Sequence, residues 1–128
     1  QSPIGFPAQS FVSLSLEPPL IAICPAKTSK SWERIRATEK FAVNILSAQQ
    51  QDVSNNFASS KPDKFENIAW TSSDNGLPII NDTLAYIDCE LDAEHDAGDH
   101  TIAVGAVRAY AQVCETDAPL LYFRGAYL

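Results

Sequence analysis

Phe11-Val12-Ser13-Leu14-Ser15-Leu16-Glu17-Pro18-Pro19-Leu20-Ile21-Ala22-Ile23-Cys24 decides how the rest of the chain is read. Its first part alternates, with Val12, Leu14 and Leu16 on one face and Phe11, Ser13 and Ser15 on the other, the two-residue period of a strand. Glu17-Pro18-Pro19 ends it, because proline supplies no ladder donor and restricts the residue before it. Leu20 to Cys24 is the longest unbroken apolar run and predicts a second strand, buried on both sides.

The same signals recur downstream. Phe41 to Leu46 reads as a strand with Asn44 as its polar exception. Leu84 to Leu91 predicts a strand with Ala85, Ile87, Cys89 and Leu91 inward and Tyr86, Asp88 and Glu90 outward. Thr101 to Val107 and Leu120 to Phe123 complete the set, and Gly105 in mid-strand marks a bulge or a close backbone approach. Two helices are expected. Ser31 to Ala37 carries Trp32 and Ile35 on one face, and Ala48 to Phe57 follows the capping box Ser47-Ala48-Gln49-Gln50. Phe57 to Ile79 is polar and reads as loop with short extended pieces. Short antiparallel strands without a βαβ rhythm argue for a barrel or sandwich and against a Rossmann fold. No GxGxxG or P-loop sequence is present.

At 128 residues the chain is expected to form one domain. A net charge of −7 repels phosphate backbones, so nucleic acid is not an expected partner. No run is long enough to span a membrane. Cys24, Cys89 and Cys114 are an odd set, and the first two lie among apolar strand residues, which suits reduced thiols in a cytoplasmic protein. The sequence begins at Gln1 and contains no Met, so the natural start is expected to precede it.

Three stretches could carry chemistry. Lys27-Thr28-Ser29-Lys30-Ser31 leads into the Trp32 helix, and lysines and hydroxyls at a helix start suit a phosphate, although an ordinary N-cap with solvated lysines has the same composition. Gly5-Phe6-Pro7-Ala8-Gln9-Ser10-Phe11 could let a flat ligand lie against exposed backbone, or be a simple turn. Glu94-His95-Asp96-Ala97-Gly98-Asp99-His100 invites a metal, but turns attract Asp and Gly for backbone reasons, and no metal is expected.

These stretches together resemble a known family. Gly5 to Leu20 is similar to the signature of flavin reductase-like domains, in which a Gly-x-Thr-Ala-Asn-Ser-Phe-like stretch runs into a strand ending in Pro-Pro-Leu. Phe41-Ala42-Val43-Asn44-Ile45-Leu46 resembles the family's next strand, His95-Asp96-Ala97-Gly98-Asp99-His100-Thr101-Ile102 its Gly-Asp-His hairpin, and Phe123-Arg124-Gly125-Ala126-Tyr127 its C-terminal motif. The resemblance implies a mainly β, antiparallel Greek-key FMN-binding split barrel that dimerises and buries flavin near the subunit interface. It implies that Pro7, Ala8, Gln9 and Ser10 lie along the isoalloxazine and ribityl chain with Val12 and Ser13 nearby, and that Lys27, Thr28, Ser29, Lys30 and Ser31 hold the phosphate. Ser59 and Lys64 occupy a loop that often reaches the same phosphate, and His100 matches the family histidine beside the nicotinamide. Gln9 stands where the family usually has Asn and Pro7 where Thr is common, which bears on the flavin-edge hydrogen bonds and on FMN versus FAD. Family members usually carry a helix and a strand before the matched region, so residues 1–128 are expected to be one such domain without them.

The function so implied is hydride transfer from C4 of NAD(P)H to N5 of FMN or FAD, with reduced flavin passed to a separate monooxygenase. His100 would orient the nicotinamide. The alternative is a flavin-binding carrier or redox module on the same barrel, and a further one is a pyridoxamine-phosphate oxidase-like activity, whose motifs match less well.

Overall fold

The computed structural model describes residues 3–8, 10–113 and 118–128. Its largest element is a five-stranded antiparallel sheet in the order β1-β2-β7-β6-β3, made of β1 (Phe11–Leu16), β2 (Pro19–Ile23), β3 (Lys40–Ile45), β6 (Ala85–Ala97) and β7 (His100–Gln112). Within it β2-β7-β6-β3 is a Greek key, three successive antiparallel strands with β2 returning beside β7. Helix α1 (Lys30–Arg36) connects β2 to β3, and α2 (Gln51–Ala58) follows β3. Two small hairpins, β4 (Trp70–Ser72) with β5 (Pro78–Ile80) and β8 (Tyr122–Phe123) with β9 (Ala126–Tyr127), lie outside the main sheet. The expected antiparallel, mainly β class with two helices is what the chain adopts.

Two apolar clusters organise the interior. Ile21, Ile23, Trp32, Phe41, Cys89 and Ala103 pack between the sheet and α1, and Phe57, Phe65 and Ile80 pack between α2 and the β4–β5 hairpin. Residues 21, 22 and 23 are all buried, as the continuous apolar run of β2 predicts. Gly105 is a close backbone approach: a Cβ there would lie 2.6 Å from Phe41 Cζ and 3.0 Å from Cys89 Cβ. Asn44 is explained by its partners, since its side chain accepts from Ile80 N at 2.9 Å and donates to Pro78 O at 3.2 Å, holding β5 to β3 as a peptide group would.

Four expectations are corrected. Strand β1 forms, but it is a sheet edge with a register shift between Ser13 and Ser15, and its alternation buries neither face: Phe11 is 43% exposed and Leu16 87%. Helix α2 begins at Gln51 rather than Ala48. Ser47 bridges Pro119 and Ala48 N donates to Ala118 O at 2.7 Å, so this backbone is committed to the C-terminal segment. Half of the capping box survives: Gln50 Oε1 accepts from Ser47 N at 2.9 Å. Asp88 was expected to face outward and is only 1% exposed, because the β4–β5 turn folds over that face and Asn75 Nδ2 donates to Asp88 Oδ1 at 3.1 Å. The C-terminal strand is shorter than Leu120 to Phe123 and turns back through Arg124 and Gly125, both at positive φ, into β9.

Candidate active site

Register brings the three candidate stretches to one end of the main sheet. Phe11 pairs with Ile23, and Ile23 pairs with Ala103, so the residues before Phe11, those after Ile23 and the β6–β7 turn all leave the sheet at the same edge. Ala26 bridges His100. Lys27 N donates to Asp99 O at 2.9 Å, and Thr101 N donates to Pro25 O at 2.9 Å. The turn is Gly98-Asp99, with Gly98 at φ +71°, so the Gly requirement there is conformational.

Segment Lys27–Ser31 runs into the start of α1. Ser29 is the N-cap of α1, and its Oγ accepts from Trp32 N at 3.1 Å, which leaves the hydroxyl hydrogen to donate elsewhere. Lys30 and Ser31 are the first helical residues, whose amides have no intrahelical acceptor. Thr28 and Lys30 are exposed. Lys27 is ion-paired with Asp96 of the hairpin. His100 is half-exposed, with Nδ1 2.8 Å from Asp99 Oδ1, and this hydrogen bond and charge hold the Asp99 carboxyl below its ordinary range. Among the described residues no group of three metal-ligating side chains forms a metal site.

The segment ahead of β1 crosses both apolar clusters. Phe6 meets Trp32 edge to face at 6.3 Å between centroids, whereas Gly5 lies against Phe57 and Phe65. Pro7 and Ala8 border a cavity of about 980 Å³ that also takes in Trp32, Phe41 and Phe57. Ser10, Val12 and Ser13 are exposed along or just before β1, and Gln9 lies outside the described residues. Ser59 and Lys64 are not brought to Lys27–Ser31 by any hydrogen bond among the described residues. Ser59 Oγ donates to Asn56 O at 2.6 Å, and the Lys64 carbonyl accepts from Asn56 Nδ2 at 2.6 Å.

Glu94, read from sequence only as the start of the turn between two hairpin strands, lies instead within β6. A second, smaller cleft of about 340 Å³ is lined by Lys27, Trp32, Arg36, Glu94 and His95 among others. Across it Glu94 accepts from Trp32 Nε1 at 3.3 Å and from Arg36 Nε and Nη2 at 3.0 and 2.8 Å. The parity of β6 would turn Glu94 outward with Glu90. A register shift between Leu91 and Ala93 reverses the parity and sets Glu94 opposite buried Ala103.

Comparison with known proteins gives the family. A family model described as the flavin reductase like domain matches residues 1–128. The reductase subunit HsaB of a flavin-dependent monooxygenase from Mycobacterium tuberculosis is 50% identical over 126 residues, covering 98% of this chain and 67% of its own length. A flavin reductase from Pseudomonas putida is 47% identical over 123 residues, covering 96% of this chain and 72% of that protein. Among solved structures, a nitrilotriacetate monooxygenase component B homologue from Mycobacterium thermoresistibile superimposes with a TM-score of 0.94 at 49% identity, covering 98% of this chain and 70% of that one. The chain thus spans about two thirds of the length of these relatives, and it belongs to the flavin reductase like domain family.

Proposed function

We propose that this chain is an NAD(P)H:flavin oxidoreductase that accepts FMN or FAD and delivers the reduced flavin to a separate monooxygenase. The observation that carries the reading is the convergence of residues 5–8 and Ser10, Lys27–Ser31 and His100 at one end of the sheet of a family member. The residues fit a flavin. Exposed Thr28 and Lys30, the free hydrogen of Ser29 and the first amides of α1 form a donor set suited to a phosphate, with Ser31 beside them. Pro7 and Ala8, on the wall of the large apolar cavity, would flank the ring system and ribityl chain with Gln9 and Ser10, and Val12 and Ser13 would follow along β1. Ser59 and Lys64 would reach the phosphate from their loop. Bound flavin supplies the two-electron redox chemistry, accepting hydride at N5 from the nicotinamide.

The protein's part is positioning. His100, hydrogen-bonded by Asp99, would orient the nicotinamide or its carboxamide, so no nucleophile or general base is needed. The relatives support the substrates: one from Agrobacterium fabrum is named an FMN reductase (NADH), and an NADH:FAD oxidoreductase from Streptomyces globisporus was solved with NAD and FAD fragments. Free Cys24 and Cys89 support a cytoplasmic protein, and no described helix is long and apolar enough to cross a membrane. The exposed apolar edge of β1 supports a homodimer, because an uncovered edge strand invites pairing with a second copy. The split-barrel form and the single-domain assignment of residues 1–128 belong to the same proposal.

The test is anaerobic mixing of the full-length protein with FMN or FAD and NADH or NADPH, following loss of the flavin's visible absorbance. Rapid bleaching with one dinucleotide is expected. Tight flavin binding without bleaching makes the protein a carrier and removes the role assigned to His100.

A further inference from the structure

The β6–β7 hairpin outruns its support. The last ladder pair between β2 and β7 is Ile23 with Ala103, yet the two hairpin strands stay paired to Ala97 and His100. Beyond that pair, among the described residues, the tip is held by the segment entering α1 and by α1 itself. The backbone share of this support is the Ala26–His100 bridge and the bonds from Lys27 N to Asp99 O and from Thr101 N to Pro25 O. The side-chain share is the Lys27–Asp96 pair and the cluster at Glu94. Of the two, Glu94 is the better shielded: its side chain is 21% exposed, against 79% for Asp96. One carboxylate oxygen takes both N–H groups of Arg36 and the other takes the indole N–H of buried Trp32, so three donors on two turns of one helix converge on it. The register shift between Leu91 and Ala93 is what makes this reach possible.

We propose that Glu94 is the positioning residue of the dinucleotide site: held by Trp32 and Arg36, it fixes the His100 tip against Lys27–Ser31, so that the nicotinamide-facing and phosphate-facing groups form one rigid unit. The inference rests on the roles proposed above for His100 and Lys27–Ser31. Both carboxylate oxygens of Glu94 are taken up by α1. Glu94 acts by setting the distance between the groups assigned to the ligands, so loosening it degrades dinucleotide binding before it degrades flavin binding.

The experiment compares the full-length wild type with Glu94→Gln, Arg36→Gln, the double variant and Arg108→Gln. Arg108 pairs with Glu90 on the same hairpin, away from α1, and serves as a control for general loosening. Each single variant at the cluster is expected to raise KM for NADH about fivefold, as loss of a partly shielded charge pair implies, with kcat and the flavin Kd within about twofold. The double variant is expected to match the singles, because the two residues act as one unit. Faster amide exchange at Lys27 and Thr101 should accompany the rise. An unchanged KM in Glu94→Gln, or an equal rise in Arg108→Gln, overturns the proposal while leaving the reductase reading intact. Failure of the wild type to bleach flavin instead removes that reading and this one with it. Should Glu94→Gln lose its native near-ultraviolet dichroism, Arg36→Gln, whose side chain is half exposed, decides the matter alone.

Discussion

Gly105→Ala is the sharpest test of how this sheet is packed. The backbone at Gly105 is not in the left-handed region, so alanine meets no conformational penalty and would by propensity alone stabilise the strand by about 0.5–1 kcal/mol. The new methyl, however, would sit 2.6 Å from Phe41 Cζ, 3.0 Å from Cys89 Cβ and 3.2 Å from Cys89 Sγ. Neither neighbour can yield easily. Phe41 is 5% exposed and packed edge to face on Trp32 at 5.8 Å, and Cys89 is fully buried. Overpacking costs about 1–3 kcal/mol, and a 2.6 Å approach belongs to the upper part of that range, about 2–3 kcal/mol, so the expected net loss is about 1–2.5 kcal/mol after the backbone gain. Urea unfolding followed by fluorescence should show a lower midpoint with an unchanged m-value, and Phe41→Leu in the Gly105→Ala background should recover part of the loss. A midpoint equal to or above wild type would refute the close approach. The same substitution at Gly98, where nothing lies within 4 Å but φ is +71°, separates steric from conformational cost.

Thr83 is fully buried and among the described residues its hydroxyl has no hydrogen-bond partner, so Thr83→Val should be neutral or stabilising by up to about 1 kcal/mol, read as an unchanged or raised Tm; a clear loss would reveal a hidden partner. The Cys89 thiol is pushed up to about 12, chiefly by burial and then by the charge of Asp88, so alkylation at mildly alkaline pH should spare it until the protein unfolds. Rapid native labelling at Cys89 would contradict that. Asp99 is held below its ordinary 3.8 by the His100 hydrogen bond and charge. With the folded value depressed, the Asp99 carboxylate's share of the stabilisation is present above its ordinary value and is lost as pH falls through the lowered one. Carboxyl NMR titration of His100→Ala should return Asp99 upward, and no change would dismiss the contact.

Much of the main sheet was readable because its strands advertise their period. The apolar run of β2, the proline break before it and the Gly-Asp turn between β6 and β7 are local signals, and each appears where the residues place it. What escaped reading was set by contacts distant in sequence. Two register shifts in the β6–β7 pairing, at Asp88/Cys89 and Leu91/Ala93, interrupt simple alternation. Asp88 is buried because a turn from β4–β5 covers it, and Glu94 is turned toward α1, where Trp32 and Arg36 partly shield it. The start of α2 moved because the C-terminal segment claims Ser47 and Ala48. The candidate site was legible as three separate stretches, but their convergence depended on β1, β2 and β7 sharing one register, which no single stretch encodes.

The segment ahead of β1 touches both apolar clusters, through Phe6 on one side and Gly5 on the other. It therefore works as a tie between two regions that could otherwise open separately. A ligand packed against Pro7 and Ala8 would tighten that tie, so flavin should make the α2 region and the main sheet melt as one cooperative block, and the α2 amides are expected to exchange first without it.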